Sequence, residues 1–119
     1  MNTLLIVLVL LVAAEHVFIL WLEMFAIPSA LAARVFGISQ AVQSQPEIRR
    51  LFANQGLYNG FLAAGLLWSL WLGEKGIQVA IFFLTCVLIA GLFGAATASR
   101  KILYVQAAPA LAALLALLI

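Results

Sequence analysis

Apolar residues fill four long stretches of this chain, and three polar interruptions separate them. The stretches run over about residues 3–25, 51–72, 77–98 and 102–119. A helix needs about 20 mostly apolar residues to cross the hydrocarbon core of a bilayer, and each stretch comes close to that length or exceeds it. Backbone N–H and C=O groups in lipid must be satisfied within the segment, so the stretches read as helices and not as strands. The pattern predicts an all-α membrane protein: a four-transmembrane-helix antiparallel bundle occupying residues 1–119 as one domain, with a long first cytoplasmic connection.

The interruptions differ in kind. Gly73-Glu74-Lys75-Gly76 is a tight polar turn between the second and third stretches, and Ser99-Arg100-Lys101 is an equally short one between the third and fourth. Turns this short force antiparallel neighbours. The first connection, residues 26–50, is much longer. Pro28 ends the first helix or caps a new turn, and Leu31, Val35, Phe36 and Ile38 are spaced loosely like an interfacial helix. Residues 40–46 read as an exposed loop. Pro46-Glu47 then opens the second helix, with a proline and an acidic side chain in its first turn.

Composition strengthens the membrane reading. Of 119 residues, 67% are hydrophobic and 8% charged, whereas a soluble domain carries about 25% charged residues to face water. The charges are also unevenly placed. Arg34, Arg49, Arg50, Arg100 and Lys101 fall in the first and third connections, and Lys75 alone lies in the second, beside Glu74. Cytoplasmic loops carry the Lys/Arg excess, so the first and third connections face the cytoplasm and both termini face outward. The expected location is the cell (inner) membrane, multi-pass. A net charge of +2 does not supply the basic patch that nucleic acid needs.

Two sequence features are read conservatively. No Lys or Arg precedes the first apolar run, which resumes past Glu15-His16 to about Ile27. Val12-Ala13-Ala14 is therefore taken as part of a mature helix and not as a cleavage site. Cys86, the single cysteine, is taken as a buried, inert thiol. It excludes an intrachain disulfide and a thiolate metal cluster within one subunit.

Polar residues inside spans are costly and usually face the bundle interior. The first helix carries Glu15, His16 and Glu23. At about 100° per residue, His16 and Glu23 lie within about 20° of each other and Glu15 about 80° from Glu23, so all three fit one inward face. The second helix adds Asn54, Gln55, Tyr58 and Asn59. Asn54 and Tyr58 stack at i,i+4, as do Gln55 and Asn59, making a polar stripe. Gly56 and Gly60, continued by Ala64, have the small-residue spacing that lets another helix backbone approach closely, and Ala90, Gly94 and Ala98 repeat it on the third helix.

Depth groups these residues further. Glu23, Asn54, Gln55, Thr97, Ser99, Tyr104 and Gln106 fall in the cytoplasmic half, and Glu15, His16 and Asn59 lie nearer the midplane. Pro109 leaves the Val105 carbonyl without its helical partner near that level. The expectation is a polar pocket open to the cytoplasm, lined by Glu15, His16, Glu23, Asn54, Gln55, Tyr58, Asn59 and Gln106, and closed outward by apolar residues. No metal is expected, since His16 and Glu23 are about 10 Å apart along the axis and no ligands pair at i,i+3 or i,i+4 on any helix. No cofactor is expected either. A buried ion pair, with Glu15 or Glu23 neutralising His16 or a rim arginine, explains the same residues structurally. Ser29, Ser39 and Ser44 lie in the long connection, far in depth from His16, which gives nucleophilic catalysis weak support.

These residues carry a family resemblance. Residues 15–25, Glu-His-Val-Phe-Ile-Leu-Trp-Leu-Glu-Met-Phe, resemble the first helix of the family called domain of unknown function 1304. Residues 54–63, Asn-Gln-Gly-Leu-Tyr-Asn-Gly-Phe-Leu-Ala, resemble its second-helix signature. Residues 91–97 and 106–110 match its third and fourth helices. The resemblance implies a small four-helix protein of bacterial and some fungal membranes, and brings no assigned activity.

Two looser likenesses set the alternatives. Four spans, a long first connection and an Arg-then-Asn opening of the second helix are similar to the membrane-associated eicosanoid and glutathione metabolism proteins, which implies a trimeric membrane enzyme or lipid-binding protein. The chain lacks their Glu-Arg-x-x-Arg-Ala run. Length, span count and a carboxylate near the position of Glu15 resemble small multidrug transporters, which implies proton-coupled exchange through Glu15. The flanking pattern of that family is missing here. The first reading is a homo-oligomer that binds membrane lipid or a small lipophilic molecule in the polar pocket. Whether it is an enzyme stays open.

Overall fold

The computed structural model describes residues 1–98 and 100–119, and every regular element among them is helical. In chain order these are α1 (Thr3–Phe25), α2 (Ala30–Phe36), α3 (Gln40–Gln43), α4 (Pro46–Trp71), α5 (Ile77–Thr97) and α6 (Ala108–Ala116). A 3-10 turn over Gly73–Gly76 joins α4 to α5, and a π-helical turn over Leu103–Ala107 leads into α6. Ser99, expected in the turn before the fourth helix, lies outside the described residues.

Two helical segments among these residues are long and apolar enough to cross a membrane. They are Thr3–Phe25 and Gly73–Thr97, with mean hydropathies of 2.6 and 2.5. α4 is as long, at 26 residues, but the charges of its first turns and its Asn/Gln stripe dilute its apolar character. The fourth apolar helix, Leu103–Ala116, is about 21 Å long and stops before the expected end at Ile119. There the Leu117 and Leu118 N–H groups bond to the carbonyls of Leu114 and Leu115, three residues back, and this tightened turn closes the helix.

The chain forms two compact units. The first comprises residues 1–14 and 62–119. Its core draws Leu5, Val9, Val12 and Ala13 from α1, Leu66 from α4, Ala80, Leu84 and Val87 from α5, and Ala110, Ala113 and Ala116 from α6. On α5 the buried residues Ala80, Leu84, Val87 and Gly91 recur at four, three and four positions, the 3.5-residue stripe of a helix bundle. The fourth helix answers with alanine at every third position, Ala107, Ala110, Ala113 and Ala116, all buried. Small side chains on both let the backbones approach closely. A Cβ on Gly91 would lie 2.8 Å from the Ala107 nitrogen.

The π turn sits immediately before Pro109, which has no N–H to donate. Upstream of it, the Ala108 N–H bonds to the Leu103 carbonyl, five residues back, so the register changes where the proline breaks the α-helical ladder. At the other end of this unit Gly73, at φ 64°, ends α4 in the left-handed conformation that glycine adopts without strain. The α-ammonium of Met1 pairs with Glu74 in the following turn.

The second unit comprises residues 15–61 and contains α2, α3 and the adjoining halves of α1 and α4. Ser29 caps α2, its hydroxyl accepting from the Ala32 N–H at 3.0 Å, and Gly37 ends it at φ 69°. Ala32 is the buried residue of α2, while Leu31, Phe36 and Ile38 are half-buried and Val35 is exposed. Phe36 packs on Phe52 with ring centres 5.1 Å apart. The exposed loop expected over residues 40–46 is corrected: α3 forms there, and Gln43 is 1% exposed. Its side-chain oxygen accepts from the Ser29 N–H at 3.0 Å, and its amide donates to the carbonyls of Ile38 at 2.7 Å and Ser29 at 3.4 Å. One carboxamide thus satisfies the Ser29 N–H and the Ile38 carbonyl, and adds a second, longer bond to the Ser29 carbonyl, which also accepts from the Ala33 N–H.

Candidate functional site

The chemistry-bearing residues of α1 occupy its buried stripe. Leu5, Val9, Val12, His16 and Glu23 are all buried, and their spacing of four, three, four and seven follows the 3.5-residue repeat. His16 and Glu23 therefore take positions that aliphatic side chains fill earlier in the same helix. On α4 the corresponding line runs through Gly56, Asn59, Ala63 and Leu66. Both helices thus carry polar groups at positions suited to packing.

Glycine brings these two lines together in the second unit. A Cβ on Gly56 would lie 2.6 Å from Met24 Cγ, 3.1 Å from Glu23 Cβ and 3.2 Å from the Leu20 carbonyl oxygen. One on Gly60 would lie 2.6 Å from Leu20 Cδ1. The Gly-x-x-x-Gly spacing is a helix-packing device here. Beside it, Asn59 Nδ2 donates to Glu23 Oε1 at 2.6 Å and to the Gln55 carbonyl at 3.1 Å.

Glu15 is in a different condition. Its Oε2 is sealed from solvent and has no hydrogen-bond partner among the described residues. His16, next in the chain and 1% exposed, projects about 100° away around the helix. The same helix therefore carries one carboxyl group with a protein partner and another with a buried oxygen that lacks one.

The other candidate residues separate from these. Asn54, Gln55 and Tyr58 are exposed. Asn54 and Tyr58 each lie about 160° around α4 from Gly56, on the side away from the α1 contact, and Tyr58 meets Phe61 edge-on at 5.9 Å. Gln106 is half-buried on the π turn and belongs to the first compact unit. The structure pairs Glu23 with Asn59 directly and involves Gln55 through its backbone. Among the described residues, no group of three or more His, Cys, Asp or Glu side chains could hold a metal ion. Cys86 is half-buried, not buried, and lines a shallow groove along α5 with Gln78, Ile81, Phe82, Thr85 and Ile89.

Sequence reasoning missed Gln43. Nothing in the spacing of residues 40–46 singles it out, because its burial comes from backbone groups of α2 and the following turn.

The fold and the site define an all-helical protein with two helices apolar enough for a membrane and a partly buried Glu–Asn pair between α1 and α4. The family model described as protein of unknown function (DUF1304) matches residues 10–118, and the chain belongs to that family. It is similar to the uncharacterized protein YpaA of Lactococcus lactis subsp. lactis (strain IL1403), with 33% identity over 115 residues and 97% of each chain covered. No solved structure matches the chain significantly. The resemblance carried by residues 15–25 and 54–63 therefore extends over nearly the whole length.

Proposed function

We propose that this protein crosses the membrane four times and binds a small lipophilic molecule or lipid at an intramembrane polar site approached from the cytoplasm. The spans are α1, α4, α5 and the helix that ends at Ala116. The low charge content and the apolar lengths of α1 and α5 support this reading. The shorter fourth helix fits a locally thinned bilayer or a span completed by neighbouring chains. Glu15, His16, Glu23 and Asn59 form the site.

The observation that carries the reading is the unpartnered buried oxygen of Glu15. Burying a carboxyl oxygen without a hydrogen bond is costly, and about nine in ten buried polar groups have a partner. Glu23, two turns further along α1, has one in Asn59. A lipophilic molecule bearing a hydroxyl or amine completes Glu15 by donating to it, and its apolar part lies among the surrounding side chains and lipid.

The test is mass spectrometry of lipophilic molecules retained by the purified protein in nanodiscs, wild type against Glu15→Leu. Wild type is expected to hold a species in near-stoichiometric amount that Glu15→Leu lacks. Identical contents in the two proteins would refute the reading. Proton release on adding a lipophilic cation, abolished in Glu15→Gln, would assign the site to proton-coupled transport instead. Turnover of a lipophilic substrate would assign it to a membrane enzyme.

A further inference from the structure

We propose that the outward face of the first half of α4 is a contact between copies of this chain. The proposal goes beyond ligand binding and rests on the reading of α4 as a membrane span. Glu47, Arg50, Leu51, Asn54, Tyr58 and Phe61 are exposed, and all lie within about 60° of Asn54 around the helix. Leu51 is 63% exposed, and Tyr58 and Phe61 are each 55% exposed.

In a membrane span this face has a polar centre, and neither the Asn54 nor the Tyr58 side chain is hydrogen-bonded within the chain among the described residues. Hydrocarbon offers no partner to a carboxamide or a phenol. Asn54 lies about 6 Å further along the helix than Arg50, and Tyr58 about 12 Å further. An arginine at the headgroup level therefore places both polar groups among the acyl chains.

A second copy supplies what the face lacks. Chains inserted in one orientation present α4 at equal depth, so like residues meet near a symmetry axis. A carboxamide is both donor and acceptor, so Asn54 can bond to its own equivalent or to the phenol of Tyr58. Glu47 and Arg50 carry opposite charges at the same end of the face. Among the described residues they form no ion pair within the chain, which leaves each available to its complement on the neighbouring copy. Leu51 and Phe61 supply apolar contact around the polar groups, as in other helix–helix interfaces.

The experiment is cysteine cross-linking in native membranes, in a Cys86→Ser background. Asn54→Cys and Tyr58→Cys are compared with Phe82→Cys, which places the thiol on an exposed position of α5. Each variant is also treated with a membrane-impermeant maleimide. The expected result is disulfide-linked dimer at least tenfold above the Phe82→Cys level for one or both α4 positions, with both shielded from maleimide. Shielded thiols that do not cross-link above the Phe82→Cys level would overturn the interface and leave lipid or another protein on this face. Free labelling at both α4 positions would overturn the span and the interface together. Native mass spectrometry of the unmodified chain in nanodiscs, which needs no substitution, is expected to show more than one copy. A single copy would overturn the proposal.

Discussion

The Asn59 carboxamide donates a 2.6 Å hydrogen bond to the Glu23 carboxylate across 36 residues of sequence. The bond joins two helices at the level where Gly56 brings their backbones close, and it gives a buried acid on α1 a specific partner. Glu15, eight residues earlier on the same helix, has a buried oxygen with no such partner. The contrast separates a carboxyl group bonded within the chain from one with an oxygen that has no partner among the described residues.

Removing one member of the bonded pair should cost more than removing both. Asn59→Leu leaves the Glu23 carboxyl buried without its donor and is expected to destabilise the protein by about 1–3 kcal/mol. Glu23→Gln keeps an acceptor and should cost less. The double variant Glu23→Leu/Asn59→Leu should recover most of the loss, with a coupling of about 0.5–2 kcal/mol. Unfolding titrations of wild type, Asn59→Leu, Glu23→Leu and the double variant in one detergent measure this cycle, and additive losses would show that the bond contributes nothing.

The two glycines of α4 should respond differently to alanine. At Gly56 the new methyl meets a backbone oxygen and a Cβ at 3.2 and 3.1 Å as well as Met24 Cγ at 2.6 Å, so the helices must separate. A cost of about 1–3 kcal/mol is expected. At Gly60 the new methyl meets the tip of Leu20, which can rotate, and alanine favours the helix by up to about 1 kcal/mol. Gly60→Ala should therefore be near neutral in the same assay.

Gln43 holds the long connection by three backbone contacts, and Gln43→Leu leaves those groups without it. The expected loss is about 2–3 kcal/mol, concentrated in residues 26–45. Hydrogen exchange should rise there while α5 and α6 keep their protection. Uniform exchange across the chain would argue against a local clasp.

Much of this arrangement was legible in the sequence. The apolar runs located the helices, and the seven-residue interval between His16 and Glu23 put both on one face of α1. Pro109 marked the neighbourhood of the π turn. The polar stripe of α4 was harder, because Asn54, Gln55, Tyr58 and Asn59 span about 140° of helix and their spacing does not say which edge meets α1. Gly56 and Gly60 held that information. The close contact falls on the glycine side, which Asn59 borders and which Asn54 and Tyr58 oppose. Gln43 was illegible for another reason: a glutamine buried by backbone hydrogen bonds has no periodic signature.

The central claim is that Glu15 is kept at a cost to the fold because a bound molecule supplies its partner. Thermal unfolding of delipidated wild type and Glu15→Leu, each with and without added lipid extract from the expression host's membranes, tests it most directly. Without extract, Glu15→Leu should be the more stable protein, by about 1–3 kcal/mol for removal of an unsatisfied buried group. Adding extract should raise the midpoint of wild type and leave the variant where it was. A variant that is less stable without extract, or that gains as much from it as wild type does, would contradict the account.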